Sequence, residues 1–364
     1  MKLRMHKSLR HLVLLLVMAP SMVLAQQAAP APCPTPQVRV LTAQVLALVD
    51  EQPQVVAYTL KSPALAEPGF DAEMRKTFEK VYKVSSADML NIENKFGKVH
   101  VNTWNKNEIQ VRVDIICRAG SEQRAQEMLD KISIRESRTG SSISVKTEMQ
   151  SMTISGNSKT GFEINYTINM PESNPLTISN SFGDVYLAAF KGKTNIAVKY
   201  GSLKTERLGN VANTIKLAYG SGSCGYMNGG SVDVSYGSLN LDGTNDIQGS
   251  SRYSDFRIGN LDQALSMQIK YGSLRVDNIS KNMQKINLES GFSPITLGFD
   301  QNTAFNFDVN VHFSSFKFDQ DVVNVTSLQR NGHTSSEYKG KFGTSSPKAS
   351  VSIVSKYGDV KFTN

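Results

Sequence analysis

Five histidines, three cysteines and scattered carboxylates are what this 364-residue chain offers for catalysis or metal binding. His6 and His11 fall among the first 25 residues. His100, His312 and His333 each lack a Cys, His or acidic neighbour at ligand spacing, so no metal and no cofactor are expected. Gly220-Ser221-Gly222-Ser223 has the glycines of a phosphate-cradling loop but not the Lys-Ser/Thr that should follow them. Asp184 and Asp359 hold equivalent places in a repeated phrase, where a short carboxylate suits corner capping better than acid–base work. No pair of facing carboxylates can be drawn. Cys33 lies in an N-terminal tail, while Cys117 and Cys224 sit where small core residues belong, so no disulfide framework is implied. The chain is thus expected to be non-enzymatic. Positive charge, by contrast, is regularly spaced. Lys204, Arg257, Arg275 and Lys317, with Lys361, each follow an aromatic by four residues; Lys199, Arg252, Lys270, Lys341 and Lys356 each precede one. Repeated cations suit a repeating anion, so these residues are the candidate ligand-binding set, with acidic polysaccharide as the candidate partner. The same rows would also serve as solvated faces that discourage edge pairing.

The spacing comes from a repeated phrase, an aromatic followed by Gly or Ser and then alternating residues. It reads Phe182-Gly-Asp-Val-Tyr-Leu, Tyr200-Gly-Ser-Leu-Lys-Thr, Tyr236-Gly-Ser-Leu-Asn-Leu and Tyr271-Gly-Ser-Leu-Arg-Val, with further copies at Tyr219, Tyr253, Phe292, Phe313, Phe342 and Tyr357 and an isolated one at Phe96. Positions +3 (Leu203, Leu239, Phe256, Leu274) and +5 (Leu241, Ile258, Val276) are apolar, as are those two before the aromatic (Val198, Leu217, Val234, Ile269). That is strand, bend, strand, with Gly at +1 expected to supply the unusual backbone angles of the bend.

From Phe182 to Phe313 the aromatics lie 18, 19, 17, 17, 18, 21 and 21 residues apart, and the 44 residues to Tyr357 fit two more turns with Phe342 between them. A fixed period of this size predicts an all-β fold, a parallel β-solenoid or β-helix of 17–21 residues per rung, with nine turns rising ~4.8 Å each. A transmembrane barrel would need longer uninterrupted strands. An antiparallel sandwich would want Asn-Gly turns at every other junction, and only Asn228-Gly229 and Asn331-Gly332 occur.

Residues 1–25 read as a cleaved signal peptide, with Lys2, Arg4, Lys7 and Arg10 before a short apolar run and Val23-Leu24-Ala25 at its end. The expected location is therefore periplasmic, surface or extracellular. No segment of the mature chain is long and apolar enough for a transmembrane helix. Removing the signal lowers the net charge from +8 to about +4, too little to point to nucleic acid. Residues 26–70 form an Ala/Pro-containing tether and a segment, 38–58, of uncertain packing. Residues 71–170 are expected as a β-rich N-terminal cap with one helix at 121–133, Ser121 as N-cap and Ala125, Met128, Leu129 and Ile132 on its buried face; residues 171–364 are the repeats.

The run Asn94-Lys-Phe-Gly-Lys-Val-His-Val-Asn-Thr-Trp-Asn-Lys-Asn-Glu108, the helix Glu122 to Ile132, the stretch from Met170-Pro171 to Leu187 and the Tyr-Gly-Ser-Leu repeats together resemble the putative-adhesin β-solenoid family of secreted bacterial proteins, many of Bacteroidetes-type envelopes. The resemblance spans about residues 75–364. It implies a solenoid and a binding or scaffolding role, with no catalytic residues to carry over. Two other functions compete: a polysaccharide lyase or hydrolase working in a flank groove, and an accessory that binds another envelope protein through the N-terminal cap.

Overall fold

Alternation of apolar and polar residues makes most of the described residues extended. In the computed structural model, which describes residues 70–152 and 160–364, the protein is all-β, with a single helix among the described residues, and its strands join one mixed sheet that is nearly closed on itself. The expected signal segment, the tether and residues 38–58 lie outside the described residues.

Repeats pair in parallel, like position against like position. Leu176–Ser181 pairs with Thr194–Lys199, which pairs with Asn213–Ala218, so that Ile178, Ile196 and Ile215 align, as do Asn180, Val198 and Leu217. A continuous extended stretch, Ser221–Lys270, passes corners at Tyr236 and Tyr253 and continues both rows. On the other side of the corner, Leu203–Leu208 pairs with Val185–Leu187 and with the start of that stretch, and Ser273–Ile279 pairs with Ile295–Phe299. The residues so aligned are buried and form one continuous core. No repeat could bury its apolar face alone; stacking buries it against both neighbours.

The corners differ from expectation in which residue bends. The positive φ belongs to the aromatic, not to the glycine: ten aromatics, from Phe96 to Tyr357, have φ between 52° and 63°. Glycine at +1 is required for a different reason. A Cβ on Gly201, Gly220 or Gly237 would sit 2.1, 1.9 or 1.8 Å from the carbonyl oxygen of the glycine one turn away. Where serine replaces glycine, its hydroxyl is put to use, as when the Gly237 and Gly272 amides donate to Ser254 Oγ and Ser293 Oγ at 3.1 and 3.0 Å. Buried polar residues two before the aromatic close the corner from inside: Asn180 Nδ2 donates to the Gly183 carbonyl, and Ser290 and Ser355 donate to the carbonyls of Ser293 and Gly358.

The sheet is mixed: antiparallel pairing occurs in the expected cap and also within residues 171–364, where the repeats predict a parallel solenoid. Ala72–Lys83 runs antiparallel to Glu108–Ala119, which runs antiparallel to Gly161–Pro171, and Ile132–Thr139 and Ser142–Met149 make a hairpin about Gly140. A second departure lies near the C-terminus. Phe342 is no corner: it is buried, stacks on Phe305, and ends the hairpin Val323–Asn331 with Ser335–Phe342, turned at Asn331-Gly332. After this excursion the chain returns, and Ala349–Lys356 inserts between Lys285–Gly291 and Phe305–His312, parallel to both. The turn last in sequence is thus an interior turn of the stack. The isolated upstream copy is likewise not isolated, because Met89–Lys95 pairs with Leu176–Ser181 and Val99–Trp104 with Val185–Leu187.

The helix is shorter than expected, Glu122–Asp130. Ser121 caps it by accepting the Arg124 amide at 3.3 Å, and Ala125, Met128 and Leu129 pack on the strands Ala72–Lys83 and Glu108–Ala119. Ile132 is fully buried as expected, but it opens a strand instead of extending the helix.

Two stability outcomes follow from these contacts. Gly237→Ala should cost about 3 kcal/mol or more in denaturant unfolding, because backbone must move, whereas Gly332→Ala, at φ 69° with nothing within 4 Å of its Cβ, should cost about 1 kcal/mol. Deleting residues 344–364 should leave two facing strands without their shared partner; size-exclusion chromatography should then detect self-association and thermal unfolding a lower Tm, unlike a cut at a free terminus.

Candidate functional site

Because turns rise by one strand spacing, equivalent side chains stack at that spacing too. The ten corner aromatics form a ladder in the order Phe96, Phe182, Tyr200, Tyr219, Tyr236, Tyr253, Tyr271, Phe292, Tyr357, Phe313, with centroids 4.6–5.2 Å apart and ring planes within 11° of parallel. At the Phe96 end, Phe162 closes the ladder edge-on. From Phe182 onward the residues are 47–58% exposed. Their faces cover one another, so mainly ring edges and hydroxyls meet solvent, including five consecutive phenols from Tyr200 to Tyr271. Holding a non-glycine residue in the left-handed region costs ~1–2 kcal/mol, and aromatic stacking returns ~0.5–1.5 kcal/mol per pair. Glycine or asparagine would make the bend more cheaply, yet every corner keeps a ring.

The candidate cations occupy two columns flanking this ladder. Four residues after the aromatics, Lys204 lies between Tyr186 and Ser223 in register, Arg257 opposes Arg275, and Lys317 opposes Lys361. Much of this column is already paired. Arg257 and Arg275 both donate to Asp277, at 2.7 and 2.6 Å, and Lys317 reaches Asp359 at 2.5 Å. Burial opposes ionisation of Asp277, but Arg275 and Arg257 hold its carboxyl below the usual range. Asp359 is lowered to about 2, chiefly by Lys317 and then by the Ser315 amide. Asp184 likewise accepts from the Ser202 hydroxyl and amide, so both carboxylates cap neighbouring corners as their sequence positions suggest.

In the column just before the rings, Lys95, Lys199, Lys270 and Lys356 make no ion pair with any described residue, and Arg252 approaches Asp233 only at 3.7 Å. Lys341 is not in this column. It stands in the hairpin opposite Asn306 and Asn324 because Phe342 is not a corner. Next to these lysines the outward surface is concave: a groove of about 640 Å³ runs past Gln248, Ser266, Gln268, Asn287 and Ser352, and a second of about 470 Å³ shares Gln268 and Glu289 with it and reaches Lys270 and Lys356. The sequence columns flagged the lysines, but not the groove, which depends on how the turns are placed side by side.

No group of three or more His, Cys, Asp or Glu among the described residues is placed to hold a metal ion, and no helix among them is long and apolar enough to cross a membrane. His100 stacks on Tyr186 and shares a hydrogen bond with Asn102. Both described cysteines are buried in the core.

The chain thus defines an all-β protein that presents rows of like side chains at strand spacing. No family model and no curated protein matches it. Among solved structures it is similar to a putative adhesin from Bacteroides fragilis (11% identity over 79% of this chain and 96% of that one, TM-score 0.35) and to a putative lipid binding protein from Parabacteroides distasonis (13%, 79% and 97%, TM-score 0.35). A putative cell adhesion protein from Clostridium sporogenes is 13% identical over 79% and 99%, with a TM-score of 0.20. Function is therefore read from this chain's own surface.

Burial pushes the Cys117 thiol up to about 12 and that of Cys224 to about 11, so neither is a thiolate at neutral pH. Iodoacetamide at pH 8 should leave both unmodified in the folded protein and label both in denaturant, read by mass spectrometry.

Proposed function

We propose that this protein is a non-enzymatic binding or scaffolding protein of the bacterial envelope, built as a β-solenoid and exported by its N-terminal signal. The parallel, like-on-like pairing of repeats supports the solenoid reading, and the charged, apolar and small-residue pattern of residues 1–25 supports export. The observation that carries the binding role is the exposed aromatic ladder, kept at every corner in a backbone region that disfavours it. A surface repeating at one strand spacing over roughly 43 Å offers many weak, equivalent contacts to a repeating partner such as an acidic polysaccharide. The column of Lys204, Arg257, Arg275 and Lys317 flanks that surface, and Asp277 and Asp359 offset the charge of Arg257, Arg275 and Lys317.

Passing acidic and neutral polysaccharides over the immobilised mature chain, then sizing the eluted polymer, tests the reading. Retention of a polysaccharide with its chain length unchanged is expected. Shortened polymer would replace the reading with an enzyme, and failure to retain any polysaccharide would remove the glycan partner.

A further inference from the structure

Where the groove lies, the two limbs that meet at the aromatic corner differ chemically, although on the limb before the corner Ser250 donates to Asp233 and Thr214 shares a hydrogen bond with Ser231. On the limb after the corner, outward polar groups satisfy one another: Arg257 and Arg275 with Asp277, Asn278 with Asn260, and Tyr186 with Glu206 at 2.8 Å. On the limb before it, in the groove, Gln248, Ser266, Gln268, Asn287 and Ser352 make no side-chain hydrogen bond with any described residue. Lys270 and Lys356, at the groove's border with the ladder, have no ion pair. Hydroxyl and amide groups left free at regular spacing can each donate and accept, which matches a partner rich in hydroxyls. Unpaired lysines beside them match a partner that carries negative charge. The ladder adds to both: aromatic edges are the positive rim of the ring quadrupole, and the phenols from Tyr200 to Tyr271 add hydroxyls.

We propose that the groove between the aromatic ladder and the outer strand surface is the binding site for a linear acidic polysaccharide, held at its carboxylates by Lys270 and Lys356 and at its hydroxyls by Gln248, Gln268 and Asn287. This rests on the binding reading above and moves its site from the column of Lys204, Arg257, Arg275 and Lys317 to the opposite side of the rings. Single-stranded nucleic acid is the poorer fit, because bases stack on ring faces and these faces are occupied by one another. Glu93, Asp233, Glu289 and Asp308 are the carboxylates on this limb among the described residues; Glu93 pairs with Lys146 and Asp308, in register with Ser352, with Lys339, while Glu289 lines the groove and favours a polymer whose anions lie toward the ladder instead of over the groove floor.

The test compares the mature chain with Lys270→Gln/Lys356→Gln and with Arg257→Ser/Arg275→Ser, each checked for an unchanged melting profile. Binding to polygalacturonate, dextran, poly(dT) and phosphatidylglycerol vesicles is measured at low and physiological salt. Polygalacturonate should bind in preference to the others, weaken by about tenfold in the lysine pair and lose much of its salt dependence there, while the arginine pair stays within about threefold of wild type. Polygalacturonate binding that the arginine pair abolishes and the lysine pair spares overturns the groove but leaves the binding reading standing. Equal binding of dextran removes the charge requirement; tighter binding of poly(dT) or vesicles replaces the partner; and no binding of any polymer removes the groove site and the glycan partner together and leaves the scaffolding role.

Discussion

Everything in this structure depends on the closeness with which one corner backbone rides on the next. At the corner the carbonyl of one turn points to where the Cβ of the following turn would be, at about 2 Å, so the position must be glycine, or a serine accommodated by its own hydrogen bonds. The hydrogen-bonded ladder sets the rise per turn at one strand spacing, and the missing Cβ lets the corner backbones approach at that rise. Once the rise is fixed, apolar rows bury against each other, aromatic rings arrive at stacking distance, and outward residues fall into columns. The bend itself is carried by the ring-bearing residue, whose strain is offset in part by its two neighbours in the ladder.

The arrangement of turns is less simple than their repetition suggests. Residues 349–363 occupy an interior place between the turns of Phe292 and Phe313, and the hairpin ending at Phe342 covers the outer strand, Phe305–His312, with an antiparallel partner. At the other end the turn of Phe96 is flanked by parallel partners, Ser142–Met149 and Gly161–Pro171, which are covered in turn by the antiparallel strands Ile132–Thr139 and Glu108–Ala119. Both ends thus switch from parallel to antiparallel pairing, which interrupts the register a further copy of the repeat would need. The helix Glu122–Asp130, packed over two of the N-terminal strands, belongs to this end structure.

Functionally, the two limbs divide labour. On the limb after the corner Arg257 and Arg275 share Asp277, which lies outside the repeated phrase, and Lys317 pairs with Asp359. The limb before it keeps free amides, hydroxyls and lysines around a groove. Between them the ring edges form a strip that neither limb satisfies.

How much of this was legible can be followed residue by residue. The inward rows, the aromatic corner, the core placement of Cys117 and Cys224, the capping role of Asp184 and the Ser121 cap all follow from local alternation and spacing, which the chain carries in every copy. The Gly column was legible as a requirement but for the wrong cause, since a close approach between turns cannot be seen within one turn. Phe342 and Lys341 match the phrase by letter and yet fall outside the stack, and residues 349–363 match it and fall in an unexpected place. The sequence by itself determined which face each residue takes, because that is set by neighbours two residues away. Only the tertiary structure decided which turn lies beside which, and with it the insertion, the groove and the Arg257–Asp277–Arg275 pairing: near-identical repeats can satisfy one another's edges in several orders, so adjacency is settled by long-range pairing and not by the phrase.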